Sequence, residues 1–414
     1  MLLALALSLA AGFVAPRQAK SIESWTDDAL HLVAEIERLH PAPFFGCPQA
    51  DFEAGVDAFL GSIEGASEPR ALVELMRLVA LISQKGRDGH TGVWPVRASY
   101  LPLRFYAFAD GWFVVDADPE QRGWIGAELV SVGHVPVEEA SKRLAPLLTC
   151  DNEWNRRVKL AQALACADVL AGAGLTADPA AVRVELARGS ERTTLELACV
   201  RRHLHDLWGG FNVPTRAGVT WLEGREQAYR LQVLEPERAL YVQYNEVTAR
   251  ADDGRLLTDF AAELVRTFEE RKLAKVIVDV RSNRGGDNTT FGPLIAALQT
   301  PTINRPGVLF GLIGRDTFSA AGNFVTVLER DTRAILVGEP TGGAPNQYGD
   351  AKPVPLPNHP DVMVQVSTRY HQFGAPGDER LTHEPHLAVP LRSSDFFAGQ
   401  DPVLRAALDY QPPR

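Results

Sequence analysis

Ser319 stands in the run Arg315-Asp316-Thr317-Phe318-Ser319-Ala320-Ala321-Gly322-Asn323-Phe324, which follows the apolar stretch Val308 to Ile313. The pattern reads as strand, tight turn and helix, with the serine at the helix N-terminus. The first backbone N–H groups of a helix lack intrahelical partners, and the helix dipole is positive there. An oxyanion that develops beside such a serine during acyl transfer would be stabilised. A plain N-cap serine gives the same local pattern, and taken alone the run leaves both readings open.

A second segment, Asp279-Val280-Arg281-Ser282-Asn283-Arg284-Gly285-Gly286-Asp287, follows the β-branched run Val276-Ile277-Val278. Paired glycines at the end of a parallel strand allow close approach of a ligand and present N–H groups to the crevice where such sheets bind substrates. A simple turn is the alternative. A nucleotide-phosphate loop is not, because the Gly-x-x-x-x-Gly-Lys-Ser/Thr spacing is missing.

A serine nucleophile needs a base at neutral pH. Among ten histidines, His90 is flanked as Arg87-Asp88-Gly89-His90-Thr91-Gly92, a polar glycine-bounded loop from which an imidazole can enter a cleft. The pairs His203 and His205, and His383 and His386, could touch a metal, but no cysteine or carboxylate cluster completes a site, so no metal and no cofactor are expected.

The elements that position these residues follow from hydrophobic periodicity. Thr26 would cap a helix whose Leu32, Ile36 and Leu39 share one face before Pro41, and Ser67 with Pro69 starts a second helix through Leu72, Leu75, Val79 and Ile82. From Leu101 onward short β-type runs appear, Leu103 to Phe108 and Trp112 to Val115, joined by Asp110-Gly111. A strand and turn over Gly126 to Val137, an alanine-rich helical insert near 150–176 and a strand near Val182 to Leu186 follow. From about 236 strand and helix alternate, which implies right-handed β-α-β crossovers and an α/β fold class.

The 414 residues exceed one ordinary core, and the expected division is 1–20, 22–92, 94–200 and 201–414. A net charge of −10 excludes a surface built for nucleic acid or anionic membrane. Residues 2–15, Leu-Leu-Ala-Leu-Ala-Leu-Ser-Leu-Ala-Ala-Gly-Phe-Val-Ala, read as the core of a secretory signal, too short to span a bilayer. Export would make the protein secreted or periplasmic, with no integral span after processing. Cys47, Cys150, Cys166 and Cys199 would then be free to pair, although none has metal-ligand spacing.

Asp-x-Arg-x-Asn-x-Gly-Gly at Asp279 to Gly286, Thr-x-Ser-Ala-Ala at Thr317 to Ala321, and Gly338-Glu339-Pro340-Thr341-Gly342-Gly343 together resemble the tail-specific, or C-terminal processing, serine protease family. His40-Pro41, Asp88-Gly89-His90-Thr91 and Asp401-Pro402-Val403-Leu404 extend the resemblance. It implies a crotonase-like α/β catalytic domain, an N-terminal helical region and a PDZ-like β-rich domain that recognises substrate or caps the cleft. One branch of the family uses a lysine about 25 residues after the serine, but position 344 is alanine here and Lys352 lies farther on, in a segment that reads as a loop. The chain is therefore similar to the branch with a histidine base, the Tricorn-like one. By this resemblance Ser319 is the nucleophile, His90 the base, and Glu379 a residue that orients or polarises the site. The oxyanion hole comprises Ala320 with Gly285 or Gly286, and the substrate is a peptide or unfolded protein. A departure is Gly89, where that branch carries serine. The competing reading is a non-catalytic carrier of hydrophobic ligands or peptides on the same fold.

Overall fold

The structure is a computed structural model that describes residues 22–203, 214 and 218–412. The expected export segment and His205 lie outside the described residues.

Three helices open the chain: α1 (Ile22–Leu39), α2 (Gln49–Ser62) and α3 (Glu68–Ala80). Helix α1 starts four residues before Thr26, the expected cap, because its apolar face extends upstream: Trp25, Ala29, Leu32 and Ile36 recur at helical spacing and are all buried. Ser67 does cap α3, its hydroxyl accepting from the Arg70 N–H (3.4 Å). The short strands β1 (Gly92–Pro95) and β2 (Arg97–Tyr100) come next.

A β-rich unit follows, with β3 (Leu103–Phe108), β4 (Gly111–Ala117), β5 (Glu128–Val132), β6 (Val135–Pro136), α4 (Val137–Leu144), α5 (Glu153–Ala165), α6 (Ala167–Gly172), β7 (Ala181–Arg188), β8 (Glu191–Ala198) and β9 (Val200–His203). Its main sheet has the order β3-β4-β5-β7-β8, with β6 paired to β5, and all pairings are antiparallel. One continuous hydrophobic core joins helices α1 to α3 to this unit and to Val354, Leu356, Val364 and Val366 from the rear of the chain.

The rear layer is a six-stranded sheet of β10 (Tyr229–Leu234), β11 (Ala239–Tyr244), β12 (Lys275–Asp279), β13 (Leu309–Ile313), β14 (Ile335–Gly338) and β19 (Leu387–Ala388), in that order; β15 (Asn346–Gly349), β16 (Lys352–Pro353), β17 (Val362–Val366) and β18 (Arg369–Gln372) lie between β14 and β19 in sequence. Only the β10–β11 pair is antiparallel. The unbroken apolar runs are explained by cover on both faces. Leu240, Val242, Val276 and Val278 meet the helices Leu257–Glu270, Gly292–Leu298 and Ala320–Asp331, whereas Tyr241, Ile277, Phe310 and Leu312 meet the helix Pro402–Asp409 on the other face.

One pairing carries the functional geometry. Strand β1 is antiparallel to β17 (Val362–Val366), with Gly92 opposite Gln365. His90, two residues ahead of β1, is thereby delivered to the carboxyl ends of the rear strands, where Ser319 sits. The segment around Lys352 is not a loop as its polar sequence suggested. Lys352–Pro353 forms β16 on the edge of β17, and both residues are exposed, so no buried alternation marks them.

Candidate active site

Ser319 occupies φ 56° and ψ −129°, a backbone conformation that costs a non-glycine residue roughly 1–3 kcal/mol. The turn is held by its neighbours. Thr317 Oγ1 donates to the Val280 carbonyl (2.8 Å) and accepts from Gly314 N–H (3.1 Å). Phe318 N–H donates to the Asn283 carbonyl (3.1 Å), and Gln347 Nε2 to the Ser319 carbonyl (2.9 Å). The helix Ala320–Asp331 begins immediately after, but the Ser319 hydroxyl does not cap it. That hydroxyl lies 2.9 Å from His90 Nε2 instead. The plain N-cap reading therefore does not describe this hydroxyl.

The glycine loop reaches the same point. Gly285 and Gly286 have φ of 112° and 134°. A Cβ on Gly285 would stand 2.7 Å from Ser319 Cβ and 2.9 Å from Ala320 N, so only glycine permits this approach. The Gly285 carbonyl accepts from Val247 N–H (2.9 Å) and Asp287 N–H donates to the Val247 carbonyl (2.7 Å), so the intervening Gly286 N–H points away from Val247. The Gly285 N–H, by contrast, is committed to Asn283 Oδ1 (2.9 Å). Asn283 also donates to the Tyr244 carbonyl (2.9 Å), and Arg284 bonds Asp316 (2.9 Å), locking loop to turn. The motif's outer residues form a buried brace, with Arg281 between Asp279 (2.5 Å) and Asp401 (2.8 Å).

The base loop is organised by Asp88, which is fully buried. Its Oδ1 accepts from His90 N–H (3.1 Å), Thr91 N–H (2.9 Å) and Ser367 Oγ (2.7 Å), and its Oδ2 accepts from His40 Nε2 (3.1 Å). Because Ala42 N–H donates to His40 Nδ1 (3.1 Å), the His40 proton is on Nε2. Burial opposes the Asp88 charge, but the bonds from His40 and Thr91 prevail and hold its carboxyl at about 2. A carboxyl held this low stabilises the fold above the ordinary carboxylate range and loses that contribution as pH falls toward 2. Asp88→Ala should therefore remove about 2 kcal/mol at neutral pH and flatten the acid-unfolding transition between pH 4 and 2, as read by circular dichroism. An unchanged acid midpoint would refute this anchoring.

His90 stacks on Phe318, with centroids 4.6 Å apart. Desolvation pulls the imidazole down to about 4, with Lys159 and His371 acting in the same direction and Asp88 against it. Its Nδ1 has no partner in hydrogen-bonding geometry, although the Tyr348 backbone lies close enough to favour the charged ring. Both His90 and Ser319 keep part of their surface exposed, so the pair is open to a cleft.

Of the residues expected at the site, Ser319, His90, Ala320, Gly285 and Gly286 converge. Glu379 does not join them. It is exposed, and its carboxylate makes no hydrogen bond to His90 or Ser319, because its loop is steered by its neighbours. Arg380 is bonded to Asp378 (2.8 Å) and Glu329 (3.0 Å), and the Asp378 carbonyl accepts from Arg87 (3.3 Å), which leaves Glu379 facing solvent. Ala344, at the position of the absent lysine, is fully buried. Two groups at the base loop that sequence did not single out are Asp151, fully buried, and Lys159, half-buried; their partners are backbone atoms and leave no motif. His383 is buried between Thr326 and Thr341, a structural role. All four cysteines are free thiols. Among the described residues no group of three or more His, Cys, Asp or Glu could hold a metal, and no helix is long and apolar enough to cross a membrane.

No protein-family model and no curated protein sequence matches the chain. Solved structures do. Mature CPAF complexed with lactacystin superposes with a TM-score of 0.62 at 14% identity, over 94% of this chain and 97% of that one. A CPAF variant with alanine in place of a serine gives 0.62 at 14% identity, over 95% and 99%. The photosystem II D1 C-terminal processing protease covers 89% of this chain at 14% identity with a TM-score of 0.39. The chain is a mixed α/β protein whose fold is similar to that of mature CPAF along nearly the whole length of both.

Proposed function

We propose that the protein is a serine peptidase in which Ser319 attacks a peptide carbonyl and His90 is the general base. The observation that carries this reading is the 2.9 Å approach of His90 Nε2 to the Ser319 hydroxyl, at a strained turn on a helix N-terminus. A neutral ring with its proton on Nδ1 accepts the hydroxyl proton at Nε2 as the Oγ–C bond forms. The tetrahedral oxyanion is met by the N–H groups of Ala320 and Gly286, since the Gly285 N–H is taken by Asn283. His90 then returns the proton to the leaving amine, and water repeats the sequence on the acyl-enzyme. Glu379 has no part in these steps. In this reading 201–414 is the crotonase-like catalytic domain, 94–200 a PDZ-like unit beside it, 22–92 the region supplying the base, and 1–20 an export signal. The substrate in this reading is an exposed polypeptide segment, whose carbonyl can enter the cleft that His90 and Ser319 face.

A fluorophosphonate probe should label Ser319, identified by peptide mapping, in folded protein and not after denaturation. Absence of labelling would leave a binding protein on the same fold. Because the base is held near 4, the acidic limb of the labelling rate should lie well below the usual histidine range, with full activity already present at pH 6. A midpoint at or above 6.5 would contradict the desolvated environment of the ring.

A further inference from the structure

The residue preceding the base, Gly89, has both backbone polar groups held by side chains from one stretch of chain, the start and middle of α5. Its N–H donates to Asp151 Oδ1 (2.6 Å), and its carbonyl accepts from Lys159 Nζ (2.7 Å). Asp151, whose carboxyl is pushed up to about 7 by burial, stands just ahead of the α5 cap, Asn152, and Lys159 lies within the helix. Asn155 and Lys159, four residues apart, share one face of α5. Asn155 is buried, its Oδ1 has no partner, and a Cβ on Gly89 would come within 2.8 Å of that oxygen. The same helix start is fastened to the other half of the site. Asp151 Oδ2 accepts from Ala344 N–H (3.2 Å), and Asn152, the α5 cap, donates to the carbonyls of Thr341 (3.0 Å) and Gly342 (3.1 Å). The adjoining Gly343 N–H bonds the Thr317 carbonyl (3.0 Å) in the nucleophile turn.

We propose that α5 is a clamp that sets the base against the nucleophile, with Asp151 and Lys159 as positioning residues that grip Gly89 from both sides. This rests on the peptidase reading above. The geometry explains why a helix inserted in the β unit touches the catalytic halves at all. It also accounts for glycine at position 89, since a side chain there would displace Asn155 and Asp151. Lys159 has a second effect through its charge. His90 faces Asp88, Lys159 and His371, while His40 is bonded to Asp88 and Asp151 lies beside both Asp88 and Lys159. Removal of the ammonium makes protonation of His90 easier.

The test compares Lys159→Met, Lys159→Arg, Asp151→Asn and Asp151→Ala, each checked for folding by its melting transition. Ser319 labelling is followed against pH, and His90 is titrated by NMR. Lys159→Met should slow labelling by roughly tenfold to a hundredfold, as expected for a small misplacement of a catalytic group, and move the His90 midpoint upward. Lys159→Arg should restore both toward wild type. Asp151→Asn keeps the acceptor for Gly89 but turns an NH2 toward the Ala344 N–H, so it should lose a few-fold, whereas Asp151→Ala, which loses both acceptors, should lose tenfold or more. Folded Lys159→Met with wild-type rate and midpoint would overturn the clamp, as would equal behaviour of the two Asp151 variants. Should Lys159→Met not fold, the Asp151 pair decides. Wild-type protein that never labels at Ser319 sinks the peptidase reading, and the His90 midpoint in Lys159→Met then decides separately whether α5 acts on this ring.

Discussion

Ser319→Ala should abolish hydrolysis of an unstructured polypeptide, with a loss of at least about 10⁴-fold, because a nucleophile cannot be replaced by the remaining hydrogen-bond donors. Thermal stability should barely change. The hydroxyl caps no helix, its partner is an imidazole that remains accessible to the cleft, and an alanine Cβ fills the same space. Ser319→Gly separates the two costs. Glycine adopts φ 56°, ψ −129° without the clash that alanine retains, so this variant should be equally inactive yet more stable than Ser319→Ala by about 1 kcal/mol. Calorimetry of the three proteins reads the difference. Equal melting temperatures for the alanine and glycine variants would mean that the turn stores no strain, and residual turnover in either would remove Ser319 from the chemistry.

The parts of this site that sequence discloses are those whose chemistry requires particular residue types in a row. Paired glycines at Gly285 and Gly286 signal close backbone approach, and the structure places Ser319 against Gly285 and the Val247 backbone against Gly286. His90 is legible because Asp88, Gly89 and Thr91 around it are loop residues with no core role of their own in sequence. The strands and helices of the rear layer are legible from their unbroken apolar runs, which a sheet covered on both faces demands. What stays hidden depends on distant partners. Glu379 looks suitable in sequence, yet the direction of its loop is decided by Arg380 reaching Glu329 and Arg87 reaching the Asp378 carbonyl, contacts made 51 and 291 residues away. Lys159 is hidden for the opposite reason. It sits on an ordinary amphipathic helix, and its two hydrogen bonds go to carbonyls, which every residue possesses. The start of α1 was displaced because a lone Thr before an apolar stripe is a weaker determinant than the burial of Trp25 and Ala29 one turn earlier.

Gly285→Ala is the sharpest probe of the oxyanion site, since it adds one methyl group and removes no polar atom. The methyl carbon would sit 2.7 Å from Ser319 Cβ and 2.9 Å from Ala320 N, closer than such carbons approach in real structures, and 3.0 Å from Ser319 Oγ, a tight contact. Retreat of the loop is the only relief, because the far side is pinned by Val247 and by Asn283, and φ 112° is itself unfavourable for alanine. Displacement of the loop carries the Gly286 N–H away from the position of the developing oxyanion, so kcat should fall by roughly 10² to 10³, the cost of one lost donor. Stability should fall with it, by about 1–3 kcal/mol of backbone strain. Gly314→Ala is the control from the other side of the same turn: its Cβ would meet Arg281 Cγ at 3.7 Å, an ordinary contact, and it should leave kcat within a few-fold of wild type. If Gly285→Ala and Gly314→Ala were equally active, the glycine loop would be a mere connector, and the oxyanion would have to be stabilised by donors other than Gly286.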